Sequence, residues 1–503
     1  MLRRRAGILL HPTSMPGPFP IGDLGPVTNA VLDWAAEAGL TLWQTLPLGP
    51  TSFGESPYGS LSSFAGNPLL ISPERLQEDG LLPRRGVPEP PISPPANPSR
   101  VPFEAVRAWK DKLLRASFKH AKKYAPQALR TEQAAFEQAQ GGWLDDWALF
   151  AALKQRERGA AWIDWPAPLR DRELGALAAA RRELGAELAF QRFAQWVFFR
   201  QWAAIRQAAK ARGILILGDL PIYVAHDSAD VWAHRALFRL DERGKPEVVA
   251  GVPPDYFSPL GQRWGNPLYA WQAHRADGFA WWISRVRACL ALADAVRLDH
   301  FRGFSAAWEI PATEPTAVAG QWTETPGREL LAAIREALGT LPLVAEDLGV
   351  ITPQVEALRD DFALPGMKVL QFGFGELDSE HAPHNHRTEC VVYTGTHDND
   401  TSAGHYAQLK DPERERWREY LGPQGDGDWN ASAALVRAAY LSVARWAIVP
   451  AQDFFGLGSE ARMNVPGQAN GNWAWRALPT NFDPTLGEAL KKLAELGGRL
   501  DSK

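Results

Sequence analysis

Short apolar or β-branched runs that end in polar residues recur along the chain, and stretches with apolar residues three and four apart separate most of them. Gly7-Ile8-Leu9-Leu10 is the first run and Leu42-Trp43-Gln44-Thr45-Leu46 the second. Ile214-Leu215-Ile216-Leu217, Ala295-Val296-Arg297-Leu298, Leu343-Val344-Ala345 and Lys368-Val369-Leu370-Gln371-Phe372 follow. Val391-Val392-Tyr393-Thr394 and Ala447-Ile448-Val449 complete the set. Residues 28–38 and 279–292 carry one-sided helical patterns, and the second feeds directly into the fourth run. Eight strands alternating with helices predict an α/β chain folded as a (β/α)8 TIM barrel.

Two intervals exceed a simple crossover. About 165 residues separate the second and third strands and about 75 the third and fourth, so both intervals hold inserted structure. The expected organisation is a single catalytic barrel over 1–503, with a mainly helical insertion over 49–213 and a second insertion over 220–290. A Pro-rich stretch at 83–102 reads as an extended surface connection, because helical patterns resume at Phe103 and continue to Arg212. The roughly fifty residues after the eighth strand are too few for a β-sandwich of ~100 residues, so no C-terminal β-sandwich domain is expected.

Composition narrows the function. Lys and Arg number 54 against 58 Asp and Glu among 503 residues, a net charge of −4. That balance leaves no footprint for a nucleic-acid backbone or an anionic membrane surface. The two cysteines, Cys289 and Cys390, exclude a disulfide framework. Ala6 to Leu10 is shorter than the ~7 apolar residues of a signal peptide, and no run approaches the ~18 of a membrane span, so the expected location is the cytoplasm. One count is out of line, 21 Trp against 9 Tyr. Tryptophan fills cores, but its flat apolar face with one N–H also suits sugar rings.

In such a barrel, catalytic groups sit at the C-terminal ends of strands. The third strand ends Gly218-Asp219-Leu220-Pro221-Ile222-Tyr223 and the fourth Arg297-Leu298-Asp299-His300. The fifth ends Ala345-Glu346-Asp347-Leu348-Gly349 and the seventh Gly395-Thr396-His397-Asp398-Asn399-Asp400. A lone Asp after a strand commonly caps a helix or forms a turn, and Arg297 with Asp299, two apart, also suits a structural ion pair. Acidic positions from four strands on one rim exceed what packing explains. They suit glycoside cleavage by two carboxyl groups, which a retaining enzyme sets about 5–5.5 Å apart. Arg297 beside Asp299 favours an ionised nucleophile there, and the apolar residues before Glu346 favour a protonated acid. His397 and Asp398 would grip sugar hydroxyls. His300, on the other side of an ideal strand, reads as structural.

These motifs, with His11-Pro12-Thr13-Ser14 and Ser56-Pro57-Tyr58, resemble the amylomaltases, the bacterial 4-α-glucanotransferases of glycoside hydrolase family 77 in the α-amylase clan. The resemblance spans nearly the whole chain. It implies transfer of α-1,4-glucan segments to the 4-hydroxyl of an acceptor, with Asp299 as covalent nucleophile, Glu346 as acid/base and Asp398 as transition-state stabiliser. It implies substrate contacts from Arg297, His397 and Asp219, with Tyr58 stacking on the sugar. Residues 253–265 look like the family's active-site loop, from which Asp255, Gln262 and Trp264 reach the acceptor side, and Phe372 and Asn470 would line the groove. The partners implied are α-1,4-glucans and maltooligosaccharides, and no cofactor is implied. Read from its own residues, the 253–265 stretch is an exposed aromatic loop, because its apolar positions are irregular and interleaved with Gly and Pro.

Three other readings stay open. The same carboxylates serve an α-1,4-glucan hydrolase, since nothing in them selects the acceptor. A non-catalytic glucan-binding barrel is a second. Metal dependence through His381, His384 and His386 is a third, although no Cys completes a tetrahedral set beside them.

Overall fold

A computed structural model describes residues 3–85, 88–90, 97–254, 258–376, 378–422 and 429–500. All eight runs are strands of one parallel sheet. They are β1 (Arg5–Leu9), β2 (Leu42–Gln44), β3 (Leu215–Leu220), β4 (Ala295–Leu298), β5 (Leu343–Ala345), β6 (Gly366–Val369), β7 (Cys390–Tyr393) and β8 (Trp446–Pro450). Hydrogen-bonded neighbours run β6, β7, β8, β1, β2, β3, β4, β5. The remaining seam is closed by single contacts: Ala345 N–H donates to Pro365 O at 2.8 Å. The Asp347 carboxylate reinforces it, accepting from Met367 N–H at 2.6 Å and from Arg359 Nη1 at 2.5 Å. Gly366 is required there, because a Cβ would lie 2.3 Å from Asp347 Oδ2. The result is a (β/α)8 barrel.

Strands β4 to β8 are buried at every residue. Helices cover the outside and opposing strands fill the inside, which is why these segments read as unbroken apolar runs instead of alternating ones. Helices Pro26–Glu37 and Ala280–Leu292 lie where the pattern places them, within a few residues, and a further helix, Pro484–Leu496, follows β8. The last begins where the Asp483 side chain accepts from Thr485 N–H at 2.6 Å and proline takes the first turn.

Between β2 and β3 the chain builds long helices, Phe103–Tyr124, Gln127–Arg156 and Gly185–Ala211, with shorter ones between. The last of these three lies against the chain that follows β2. Buried Gln195 exchanges hydrogen bonds with the backbone of Gly66 at 2.7 and 2.9 Å, and Gln201 does the same with Ser72 at 2.7 and 3.2 Å. These amides satisfy backbone that would otherwise be buried without partners. Trp202 then reaches the barrel: its indole N–H donates to Leu292 O at 2.9 Å and its ring lies 5.8 Å from that of Trp43. The Pro-rich stretch at 83–102 falls partly outside the described residues.

One feature was not anticipated from the pattern. Strands Gln262–Pro267, Val248–Val252, Ala306–Pro311 and Gln321–Glu324 form an antiparallel sheet in that order beside the barrel rim. The expected loop at 253–265 therefore ends in a strand. Its polar, glycine-containing sequence hides it, with exposed and half-buried positions that show no alternating apolar face.

Among the described residues no helix is long and apolar enough to cross a membrane. The thiols of Cys289 and Cys390 are both free.

Trp202→Ala removes a fully buried ring and its hydrogen bond, and is expected to destabilise the fold by about 3–5 kcal/mol. The check is the denaturant midpoint of unfolding, with Trp202→Phe giving a smaller loss because the ring contact with Trp43 survives.

Candidate active site

Asp219 on β3 and Arg297 on β4 are register partners in adjacent strands. The Arg297 guanidinium, 4% exposed, donates from Nε to Asp219 Oδ1 at 3.1 Å and from Nη2 to Asp219 Oδ2 at 2.8 Å. The same Nη2 donates to Asp299 Oδ1 at 2.8 Å and to the Tyr58 hydroxyl oxygen at 3.0 Å. Tyr58 in turn donates to Asp219 Oδ2 at 2.6 Å. One buried cation thus joins two carboxylates and a phenol from three separate segments.

Tyr58 is carried by a turn that the helical insertion helps to hold. Ser52 Oγ donates to Gly59 O at 2.8 Å, and Glu55 pairs with Arg107 of the Phe103–Tyr124 helix at 2.7 Å. One face of the Tyr58 ring stacks on His397, 5.1 Å between centroids and 11° between planes, and Trp473 lies 5.8 Å from both rings.

Beyond β4 the chain turns sharply. His300 adopts φ 50°, ψ 55°, the left-handed region, and its N–H donates to Glu346 Oε2 at 2.6 Å. Leu348 N–H donates to Glu346 Oε1 at 3.1 Å. Both oxygens of Glu346 are therefore aimed by backbone. Asp398 is held from the other side: Asn464 Nδ2 donates to its Oδ1 at 2.6 Å, and Arg462 Nη2 to its backbone oxygen at 2.6 Å.

These groups share a hollow of about 660 Å³, of the size of small-molecule sites. Tyr58, Gln262, Trp264, Arg297, Asp299, Glu346, His397 and Asp398 line it. Asp219 is buried against the Arg297 guanidinium and lies outside the lining of this hollow. Trp264 is 39% exposed, donates to Gln262 Oε1 at 3.1 Å, and meets the His300 ring edge-on at 4.9 Å.

Some expected positions fall elsewhere. Phe372 is exposed with its ring against His381, outside the lining of the hollow. Asn470 is exposed on the 464–473 loop, where its neighbour Ala469 reaches the hollow instead. Asp255 lies outside the described residues. The rings of His381, His384 and His386 are taken by local hydrogen bonds, to Val369 N–H, the Tyr420 hydroxyl and Ser442 Oγ respectively. Among the described residues no three His, Cys, Asp or Glu side chains are grouped as a metal site.

Other residues of the hollow are not legible from strand ends. Strand alternation predicts a structural role for His300, but its left-handed backbone breaks that alternation and turns the ring into the hollow. Asn464 and Trp473 come from the Gly- and Asn-rich segment, whose composition signals a loop without naming its contacts.

Burial pushes Asp299 up to about 7, with Asp219 and Asp398 adding to the rise and Arg297 opposing it. The favourable effect of Arg297 is present, but desolvation exceeds it. Glu346 is pushed well above the ordinary carboxyl range by burial first and by Asp299 second. As pH rises, Asp299, paired with the guanidinium, is the first of the two to ionise, and its charge then holds the proton on Glu346. His300 is pushed down to about 4 by burial, so its imidazole is neutral near pH 7.

The sequence profile described as 4-alpha-glucanotransferase matches residues 10–480. A 4-alpha-glucanotransferase of Thermus thermophilus is 50% identical over 511 residues, covering 99% of this chain and 100% of that protein. One of Synechocystis is 48% identical, with 99% and 98% covered. The chain belongs to the 4-alpha-glucanotransferase family. The solved amylomaltase from Streptococcus agalactiae in complex with acarbose superposes with a TM-score of 0.95 at 35% identity, covering 99% of this glucanotransferase and 100% of that chain.

Removing the guanidinium removes the one charge that opposes the rise at Asp299. Arg297→Met is expected to move the Asp299 titration above its wild-type midpoint near pH 7. Carboxyl-labelled NMR of the free protein checks this, and a downward shift would contradict the electrostatic assignment.

Proposed function

We propose that this glucanotransferase works by retaining double displacement on α-1,4-glucans and maltooligosaccharides. The observation that carries this reading is the pairing of two carboxyl groups in one hollow, Asp299 held on the Arg297 guanidinium and Glu346 on the backbone N–H groups of His300 and Leu348. Ionised Asp299 attacks C1 of the donor sugar while Glu346 gives its proton to the departing 4-oxygen. A covalent glycosyl-Asp299 bond forms as the glycosidic bond breaks. The Glu346 carboxylate then takes the proton of an acceptor 4-hydroxyl, whose oxygen attacks C1 and releases Asp299. Atoms and charge return to their starting state.

Charge builds on the ring in both transition states, and the Asp398 carboxylate, anchored by Asn464, is placed to stabilise it. Arg297 orients Asp299 through the 2.8 Å contact. Gln262 and Trp264 offer the acceptor a polar group and an aromatic face. An occupied acceptor side excludes water, which favours transfer over hydrolysis of the same intermediate. Acarbose in the Streptococcus agalactiae relative, a maltooligosaccharide-like ligand, supports the substrate class.

We also take residues 49–213 as an insertion that braces the rim, since Arg107 and Glu55 tie its first long helix to the Tyr58 turn. Residues 220–290 then form the insertion that brings Gln262 and Trp264 to the acceptor side.

Incubation with maltotriose is expected to give glucose together with a ladder of longer maltodextrins. Reducing ends rising in step with bond loss, without a ladder, would show a hydrolase instead. Asp299→Asn should lower kcat by at least ~10³-fold, and unchanged activity would remove the catalytic reading altogether.

The pH profile follows from the two protons. Asp299 must be ionised, so kcat/KM should fall as pH drops through about 7. Glu346 must be protonated, so kcat/KM should fall again as pH rises through its own raised value. A profile that keeps rising into the alkaline range would contradict the assignment of Glu346. Trp264→Ala should raise the share of hydrolysis over transfer, read as glucose and maltose released without longer products.

A further inference from the structure

A second hollow of about 350 Å³ lies on the far side of Tyr223, which borders both it and the catalytic one. Its walls come from the structure that the hydrophobic pattern left unannounced. Trp271 and Gln272 open the helix Trp271–Ala276, Glu309 stands on strand Ala306–Pro311, and Thr323 stands on strand Gln321–Glu324. Arg239 completes the lining.

The chemistry of this hollow is that of a neutral polyhydroxylated ligand. Trp271 is half-buried and braced from behind, with Tyr269 at 5.0 Å and the near-parallel Trp282 at 6.4 Å, so its ring is a fixed platform. Arg239 donates to Glu309 at 2.6 Å. A guanidinium has about five donors and a carboxylate about four acceptor sites, so that contact uses a fraction of their joint capacity. The pair is balanced in charge, and Glu324 adds a negative group at the edge, which disfavours an anionic ligand. An aromatic face beside planar polar side chains is what a sugar ring requires, with apolar C–H groups on its faces and hydroxyls around its rim.

We propose that this hollow is a second α-glucan-binding site, which holds a distant part of a long chain while another part occupies the catalytic hollow. The proposal rests on the glucanotransferase reading above. Strand Gln262–Pro267 links the two places, since it presents Trp264 to the catalytic hollow and leads directly into Leu268 and Tyr269 of the second. A substrate too short to span both would gain nothing from Trp271.

The test compares maltotriose with amylose as substrates for wild type, Trp271→Ala and Gln272→Ala. Trp271→Ala should raise KM for amylose about five-fold, the loss of one aromatic contact, while kcat and the maltotriose constants stay within about two-fold. Gln272 is exposed, so Gln272→Ala keeps the test valid if the tryptophan variant fails to fold, and it should raise KM for amylose in the same selective way. Unchanged amylose constants in both variants, or equal effects on both substrates, would overturn the proposal. Failure of the wild type to extend maltotriose would instead overturn the transferase reading. In that event, calorimetric titration of the Asp299→Asn protein with maltoheptaose decides the site by itself: loss of one class of binding on adding Gln272→Ala supports it, and an identical isotherm overturns it.

Discussion

The buried guanidinium of Arg297 is the constraint around which the carboxylate-bearing rim is arranged. It faces Asp219, Asp299 and the Tyr58 hydroxyl at once, with 4% of its surface exposed. A buried cation is stable only when paired and hydrogen-bonded, and removing one member of such a pair costs about 3–5 kcal/mol. Three segments must therefore arrive together: β3 with Asp219, β4 with Arg297, and the turn after β2 with Tyr58. The cross-strand register of Asp219 with Arg297 makes the two-point contact possible, because register partners on one face of neighbouring strands project side by side.

That charge also divides the labour between the two carboxyl groups. Burial raises both, which alone would leave both neutral near pH 7. Arg297 contacts Asp299 directly, whereas Glu346 receives backbone N–H groups and feels Arg297 at longer range. The pair therefore separates into one group that ionises near neutrality and one that keeps its proton until later. Desolvation supplies the tension and the single guanidinium decides which side yields. The sharp turn at His300 serves the same end, since its left-handed backbone points the N–H at Glu346 and its ring at Trp264.

Around this centre the insertions act as walls. The helical one braces the Tyr58 turn through Arg107 and Glu55, and the small antiparallel sheet carries Gln262 and Trp264. Most tryptophans serve these joints as packing. Among the described residues the exposed ones are Trp264, at the catalytic hollow, and Trp322, at the outer edge of the small sheet. The excess of tryptophan is thus largely buried packing, and only a small part of it meets solvent.

Strands of the barrel were legible because both their faces are covered, which leaves continuous apolar runs, and their polar ends stand out where those runs stop. Asp219, Arg297, Asp299, Glu346, His397 and Asp398 follow directly from those ends. Residues such as His300, Asn464 and Trp473 were not, since a left-handed turn and a Gly-rich loop carry no periodicity that tells which way a side chain faces. The small sheet escaped for the same reason, its strand at Gln262–Pro267 being polar and without an alternating buried face. Sequence by itself determined the barrel, its order and the carboxylates on its rim, because local periodicity reports burial. Tertiary structure alone decided that desolvation outweighs Arg297 at Asp299 and that the 464–473 loop closes the hollow, because burial and loop placement depend on groups far apart in the chain.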